Sequence, residues 1–401
     1  MKTADPELMR AINRFHVMDA VRRFGPLARV EISARTELSP TTVSAITAAL
    51  IEDGLIVPQP VGDIRDAARG RPRVMLELNP EAASVVGVKL APDRITVVAT
   101  NFRADVRTDL SLPVRISRQS ASVIADLVED GVRQCVADAG LAIEAVKGVC
   151  VGLPGVVEHQ TGLCRQSAVF GERDVPFAAE LQRRLGLPVS IDSDVNLVTL
   201  AEAWFGEARG LDDFLVVSLE GSLGLGIMHK GELFRGAGGL GPDLGDFVVR
   251  PTGHSDGARL ADVASEPAIL AEAQARLGGG ERAESGARRI DMARVTALAA
   301  DGHPGMLDIL ATAGEALGFA IANLVALFAP PKVILVGGAG PALLGPLRDA
   351  VTRLVPPSLA NLAEIVEHRW ADETWARGAA AMTLQDLYGA PWSTTGPARQ
   401  R

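Results

Sequence analysis

Two groups of side chains in this sequence have the types and spacing to do chemistry. The first is a run of short hydroxyls, Ser39, Thr41, Thr42, Ser44 and Thr47, set around Pro40 in "LSPTTVSAITAALIEDGLI". Short polar side chains let a helix approach the major groove closely and bond to base edges or phosphates. The second is a trio of arginines, Arg69, Arg71 and Arg73, around Gly70 and Pro72, in a chain whose formal net charge is -9. Glycine and proline keep such a stretch extended, and an extended backbone carrying guanidinium groups suits a narrow minor groove.

Both groups need elements that hold them. Phe15, Val17, Met18, Val21 and Phe24 recur at helical spacing between Asn13 and Phe24, and Gly25-Pro26 ends the pattern. A second helix is expected over Arg29 to Thr36. Ser39 is a good N-cap and Pro40 suits the first helical position of a third helix, with Val43, Ile46, Leu50 and Ile51 as its apolar face and Gly54 as its stop. Thr41, Thr42, Ser44 and Thr47 then lie on the opposite, exposed face. Leu55 to Pro60 and Arg73 to Leu78 read as a β-hairpin whose flexible tip spans 61–69. Three short helices followed by a hairpin predict a winged helix-turn-helix over residues 1–80. Its DNA-contacting set is Ser39, Pro40, Thr41, Thr42, Ser44 and Thr47 on the helix, with Arg69, Gly70, Arg71 and Arg73 on the wing. Arg69-Gly70-Arg71-Pro72 resembles the core of an AT-hook.

The totals agree with two modules. Residues 1–79 carry 11 Lys and Arg against 10 Asp and Glu, which leaves 29 against 39 for the rest. A near-neutral head on an acidic body suggests different partners. Cys135, Cys150 and Cys164 are too far apart for a CxxC metal site and read as buried thiols. No signal peptide or membrane-spanning run stands out, so a cytoplasmic protein without a membrane partner is expected.

From Ala82 onward strands alternate with helices. "SVVGVKL" and "RITVVAT" read as paired strands, and Ala121 to Ala139 as a helix. "VKGVCVGLPGVV" is a buried strand running into a turn, "LPVSIDSDVN" a strand ending in acidic and amide groups, and Leu197 to Gly206 a helix. A second set follows: the hairpin "FLVVSLEGSLGLGIMHKGEL", a long apolar helix from Met306 to Leu327, and "PKVILVGGAG" as a buried strand. Strand and turn starts repeated in two halves predict an α/β protein with two lobes and a cleft.

The order of "GLPGVV", "DSDVNLVTLAEAWFGEARG", "GSLGLGIMHKGELFRGAGG", "GPDLGD" and "VILVGGAG" resembles the ROK family of repressors, open reading frames and sugar kinases. The resemblance implies an actin-like, ribonuclease H-like body. Lobe 1 is expected over 81–200 and lobe 2 over 201–390, with a C-terminal helix returning to lobe 1 and a disordered tail over 391–401. Departures from the family pattern are informative. Active ROK kinases carry an Asp-x-Gly-Gly-Thr phosphate turn after the first strand, where this chain has Lys89, Leu90 and Ala91; Glu220 stands in the second phosphate turn. Phosphoryl transfer depends on positioning and charge neutralisation, so these changes predict no kinase activity. Carried over position by position, the family's sugar-binding pair becomes Ser193 and Asp194. Its Glu-x-Gly-His turn becomes Asp243-Leu244-Gly245-Asp246, and its later Glu falls on Ala261. The family's zinc-binding cysteines are missing and only His254 stands nearby, so neither metal nor cofactor is expected.

These readings predict a DNA-binding transcriptional regulator, a repressor, whose inactive body senses a small polar effector and oligomerises. Its partners would be double-stranded operator DNA, an effector such as a sugar held by Ser193, Asp194, Asp243 and Asp246, and a homodimer or homotetramer mate. The alternatives are an ATP-dependent sugar kinase with an appended DNA-binding head, and a scaffold without ligand or activity. Three carboxylates at the effector site would favour a polyhydroxylated or cationic ligand over a phosphorylated one.

Overall fold

The computed structural model describes residues 6–59, 74–249, 258–278, 290–338, 340–359 and 363–389. The head begins with α1 (Pro6–Phe24), a short strand β1 (Leu27–Ala28), α2 (Arg29–Thr36) and α3 (Pro40–Glu52). Ser39 Oγ accepts the Thr42 N–H at 3.1 Å, capping α3, while Pro40 occupies the first turn, where it has no helical donor to lose. Glu37 takes a left-handed conformation, φ 57°, to turn the chain between α2 and α3. Strands β2 (Ile56–Gln59) and β3 (Met75–Leu78) pair antiparallel with Ile56 opposite Leu78, and β1 adds to the other edge of β3. Val17, Met18, Ile32, Val43, Leu50, Ile56 and Leu76 are fully buried between these elements.

Three details differ from the expectation. Helix α1 starts at Pro6 rather than Asn13, because its first turns are exposed and carry no apolar periodicity. Strand β1 is two residues long, too short to show alternation. Thr47 does not lie on the exposed face of α3. It is buried, in register with Val43 and Leu50, since residues three and four apart share a helix face. The exposed face of α3 instead presents Thr41, Ser44, Ala45 and Ala48. Arg69, Gly70, Arg71 and Arg73 lie outside the described residues.

Beyond the head the chain forms two five-stranded sheets of one plan. The first is built from β4 (Ser84–Ala91), β5 (Arg94–Asn101), β6 (Val106–Leu112), β7 (Val146–Leu153) and β10 (Val189–Ser193) in the order β10-β7-β4-β5-β6. α4 (Ala121–Asp138), the small pair β8 (Val156–Glu158) and β9 (Leu163–Gln166), α5 (Phe177–Leu185) and α6 (Asp194–Phe205) connect them. β4, β5 and β6 run antiparallel, and β7 and β10 are parallel additions.

The second sheet uses β11 (Phe214–Ser218), β12 (Gly224–His229) and β13 (Glu232–Leu233). After the ribbon β14 (Val248–Val249) and β15 (Ala258–Arg259) come α7 (Ala261–Ala264), α8 (Glu266–Gly278), α9 (Met292–Ala300) and α10 (Pro304–Phe328). β16 (Lys332–Val336), α11 (Pro341–Leu354) and β17 (Glu364–His368) complete it in the order β13-β12-β11-β16-β17. An antiparallel triplet extended by two parallel strands, made twice, is the actin-like, ribonuclease H-like architecture. Parallel strands are covered on both faces, which is why "VILV" in β16 is continuously apolar and buried. Helix α10 is long and apolar enough to cross a membrane, but 67% of its most apolar window is buried within the protein, and it packs along α11 as a core helix.

The chain divides into two compact units, Met1–Leu153 with Val157–Trp204 and Asp372–Arg401, and Pro154–Val156 with Phe205–Ala371. The last helix, α12 (Asp372–Leu387), therefore belongs with the first sheet, where it packs on β4, β5 and β7. The approach is at backbone distance. A Cβ on Gly87 of β4 would overlap the Ala376 carbonyl oxygen, and one on Gly378 of α12 would overlap the Leu197 carbonyl of α6. Small residues at both faces let α12 lie between the sheet and α6. Just beyond it, Tyr388 donates its hydroxyl to the Phe102 carbonyl at 2.6 Å and stacks on Trp204 of α6, centroids 5.7 Å apart. Arg22 of α1 lies 4.3 Å over the same indole, so the head also rests on this cluster.

Gly87→Ala is expected to destabilise the protein by on the order of 3 kcal/mol, since backbone on one side and backbone on the other cannot yield as a side chain would. Thermal unfolding of the purified full chain checks this, with Val85→Ala on the same strand as a control that only opens a cavity.

Candidate nucleic-acid interface and ligand site

On α3 the hydroxyls divide into two roles. Thr41 and Ser44 are exposed, as are Ser39 and Pro40, and Thr42 is half-buried. Ser39 Oγ and Thr42 Oγ1 are 2.8 Å apart, so these two groups are partly spent on the cap. Thr47 is spent inward: its Oγ1 donates to the Ser44 carbonyl at 3.2 Å and accepts from Arg29 Nε at 2.8 Å. Of the expected set, Thr41 and Ser44 are therefore the hydroxyls both exposed and outside the cap.

The strand-to-helix junction after β10 gathers polar groups. Asp192 Oδ1 accepts from the Ser193 N–H at 2.7 Å and from Asn196 Nδ2 at 2.8 Å, and Asp194 Oδ1 accepts from Val195 N–H at 2.8 Å. His159 Nδ1 stands 3.0 Å from the Ile191 carbonyl and 3.3 Å from Asp192 Oδ2, so a proton on that nitrogen is shared between them. Asp192, Ser193 and Asn196 are buried and Asp194 is half-buried at the first turn of α6. Ser193 Oγ and Asn196 Oδ1 are buried without a hydrogen-bond partner. Unsatisfied buried oxygens are costly, and here two stand beside Asp194. His159 and Asn196 were absent from the expected set; the amide in "DSDVN" signalled the latter, whereas His159 is 33 residues upstream of Asp192 and has no local signal.

At the same end of this sheet, where Gly152 of β7 is in register with both Asp192 and Lys89, β4 and β5 stay paired as far as Ala91 and Arg94, leaving only Pro92 and Asp93 to turn the chain. The turn between them is therefore two residues long, and one of the two is a proline without an N–H. Lys89 is buried, its Nζ 2.6 Å from Asp372 Oδ1 and 4.1 Å from the centre of the Trp375 ring. Arg94 Nη1 reaches Asp372 Oδ2 at 2.9 Å. Burial raises the Asp372 pKa, but Lys89 and Arg94 outweigh it and hold the carboxyl below its ordinary value.

In the second unit, Asp243 Oδ1 accepts the Gly245 N–H at 2.9 Å, shaping the turn that the Ala261 N–H closes on the Gly245 carbonyl at 2.9 Å. Surrounding protein and the Asp246 carboxylate both raise the Asp243 pKa. Asp246 itself is exposed and ion-paired with Arg259. That partner was missed because it is 13 residues away on β15, and it cancels one of the three charges on which the expected ligand preference was built. Among the described residues no group of three or more His, Cys, Asp or Glu could hold a metal; His254 lies outside them.

The duplicated sheets define an actin-like body, and a helical head precedes it in the sequence. The sequence pattern of the ROK family matches residues 86–386, and the chain belongs to that family. It is 27% identical over 399 residues to the xylose repressor of Caldicellulosiruptor bescii, covering 96% of this chain and 98% of the relative. The glucokinase of Thermotoga maritima is 32% identical over 254 residues, covering 60% of this chain and 80% of the relative. Among solved structures, a ROK family transcriptional regulator described as a homologue of the E. coli Mlc protein superposes with a TM-score of 0.78 at 27% identity, over 95% of this chain and 97% of the other.

The Lys89 cluster has a pH signature. A depressed carboxyl stabilises the fold fully above its unfolded value, about 3.9, and that contribution is lost as pH falls through the lower folded value. Asp372→Asn should therefore cost on the order of 2–3 kcal/mol at neutral pH, because Lys89 is left buried and unpaired, and the gap to wild type should close as the pH falls below about 3.9. Lys89→Met should cost less, since Arg94 still pairs Asp372 and an apolar chain still covers Trp375. Urea melts at neutral and acid pH measure both; equal losses for the two variants would rule out the ion pair as the source.

Proposed function

We propose that this chain is a DNA-binding transcriptional regulator, a repressor, whose ROK body senses a small polar effector without catalysing a reaction. The observation that carries the reading is the closed β4–β5 hairpin: two connecting residues and a buried Lys89 paired to Asp372 leave no cradle for a transferred phosphoryl group. The repressor relatives support it, since the xylose repressor aligns with 96% of the chain, whereas the glucokinase aligns with 60% of it.

The head is read as a winged helix-turn-helix that places Thr41 and Ser44 of α3 in the major groove, with Arg69, Gly70, Arg71 and Arg73 as minor-groove contacts of the wing. Two copies in a homodimer, or pairs in a homotetramer, would read a pseudo-palindromic operator. The effector reading rests on Ser193 Oγ and Asn196 Oδ1, acceptors without partners beside Asp194, which suit the hydroxyls of a sugar or a related polyol. Asp243 and Asp246 of the second unit are read as effector-binding residues from the family pattern. The pairing of Asp246 with Arg259 weakens the argument for a cationic ligand and leaves a neutral polyol as the better fit. Such a ligand changes DNA affinity only through its differential affinity for the two arrangements of the protein.

Capture of genomic DNA on the full-length chain, followed by a screen of sugars for release, tests the reading. Ser44→Glu should abolish sequence-preferring binding, because a carboxylate at the groove meets phosphates and base acceptors, and Arg71→Ala should weaken it and flatten any A·T preference. Absence of sequence-preferring binding by the wild type would overturn the regulator. Hexose-dependent ATP turnover that disappears in Asp194→Ala would establish the sugar kinase instead.

A further inference from the structure

Packing alone does not account for Thr47. Its side chain is fully buried on the apolar face of α3 between Val43 and Leu50, where valine would fill the same space without a hydroxyl to satisfy. A hydroxyl there is retained at some cost to the helix. Its single proton goes to the Ser44 carbonyl at 3.2 Å, which leaves an oxygen lone pair as acceptor, and Arg29 Nε donates to it at 2.8 Å.

Arg29 is the first residue of α2 and is half-buried. Four other arginines of the head are matched to acids or rings, Arg14 to Asp53, Arg22 and Arg23 to Asp19, and Arg35 over Phe24, and Arg10 is exposed on α1 without such a match among the described residues. Arg29 has no acidic partner among the described residues. The nearest carboxylate in sequence, Glu31, is turned to the Ala28 N–H at 2.7 Å. With Nε anchored, the guanidinium plane is fixed in direction, while among the described residues no partner takes up the donors of its two terminal amino groups. A fixed planar fork with unspent donors and an uncompensated charge matches a phosphate diester, which accepts two parallel bonds. The anchor lies on α3 one turn from exposed Ser44, so the fork is held beside the helix face assigned to DNA.

We propose that Arg29 is a backbone-phosphate clamp and that Thr47 is its positioning residue, holding the fork without touching DNA itself. The inference rests on the DNA-binding reading. It assigns affinity to Arg29 and Thr47 and leaves base choice to Thr41 and Ser44, because phosphate contacts fix register but carry no sequence information.

The test measures affinity of the full-length chain for captured operator DNA and for a generic duplex across a salt series. Arg29→Met should weaken both by about tenfold and reduce the salt slope by about one, as expected when one fewer phosphate is neutralised. Thr47→Val should lose several-fold with the same preference between the two duplexes, Thr47→Ser should restore wild-type binding, and Thr47→Val should add nothing in the Arg29→Met background. Thermal melts of each variant separate folding from binding, and Arg29→Met together with Thr47→Ser keeps the test available if Thr47→Val fails to fold. Wild-type binding with an unchanged salt slope in Arg29→Met overturns the clamp alone, and an equal effect of Thr47→Val in both backgrounds overturns the positioning role. No DNA binding by the wild type overturns the regulator reading beneath it.

Discussion

The first unit depends on one approach: α12 lying against β4 so closely that position 87 has no room for a Cβ. A helix can reach a sheet at that distance only if both surfaces are stripped to glycine and alanine, and Ala376, Gly378, Ala379 and Ala380 supply the other side. Dispersion falls steeply with separation, so shaved surfaces in contact recover the packing that larger side chains would otherwise provide. The consequence is positional. Once α12 is seated, its first residue, Asp372, must stand at the end of β4, and the chain just past its last turn brings Tyr388 to Phe102 and Trp204.

Seating Asp372 there explains how a lysine is tolerated inside the first hairpin. An ammonium group loses its hydration on burial, and the loss is recovered only if a carboxylate and further favourable contacts replace the water. Lys89 has both, with Asp372 on one side and the Trp375 face on another. The charge is therefore internal to the fold and already neutralised. The Lys89 ammonium is thus directed to the chain's own carboxylate.

Local signals in the sequence were sufficient where one element decides its own fate. The bounds of α2 and the capped start of α3 followed from Ser39, Pro40 and the apolar spacing, and strands β4, β5, β7, β10, β11, β12 and β16 followed from their hydrophobic runs. Legibility failed where a partner distant in sequence decides. Thr47 reads as one more hydroxyl until Arg29 is known to face it, because a threonine is as compatible with a packed face as with a wet one. Lys89 and Asp372 are 283 residues apart, and no spacing rule connects them. Strand β6, half-exposed with Val106, Thr108, Leu110 and Leu112 alternating, had a period-two signal too diluted by polar residues to stand out.

Helix α6 joins the features that bear on regulation. Asp194 and the partnerless oxygens of Ser193 and Asn196 are at its start, and Trp204, carrying Arg22 of the head and Tyr388, is at its end. Roughly ten residues of helix span about 15 Å, and packed α-helix transmits displacement as a rigid body because interiors have little free volume to absorb it. Buried residues surround α6 on nearly every face, so it cannot bend away locally. The polar junction and the indole under Arg22 are thus the two ends of one packed element.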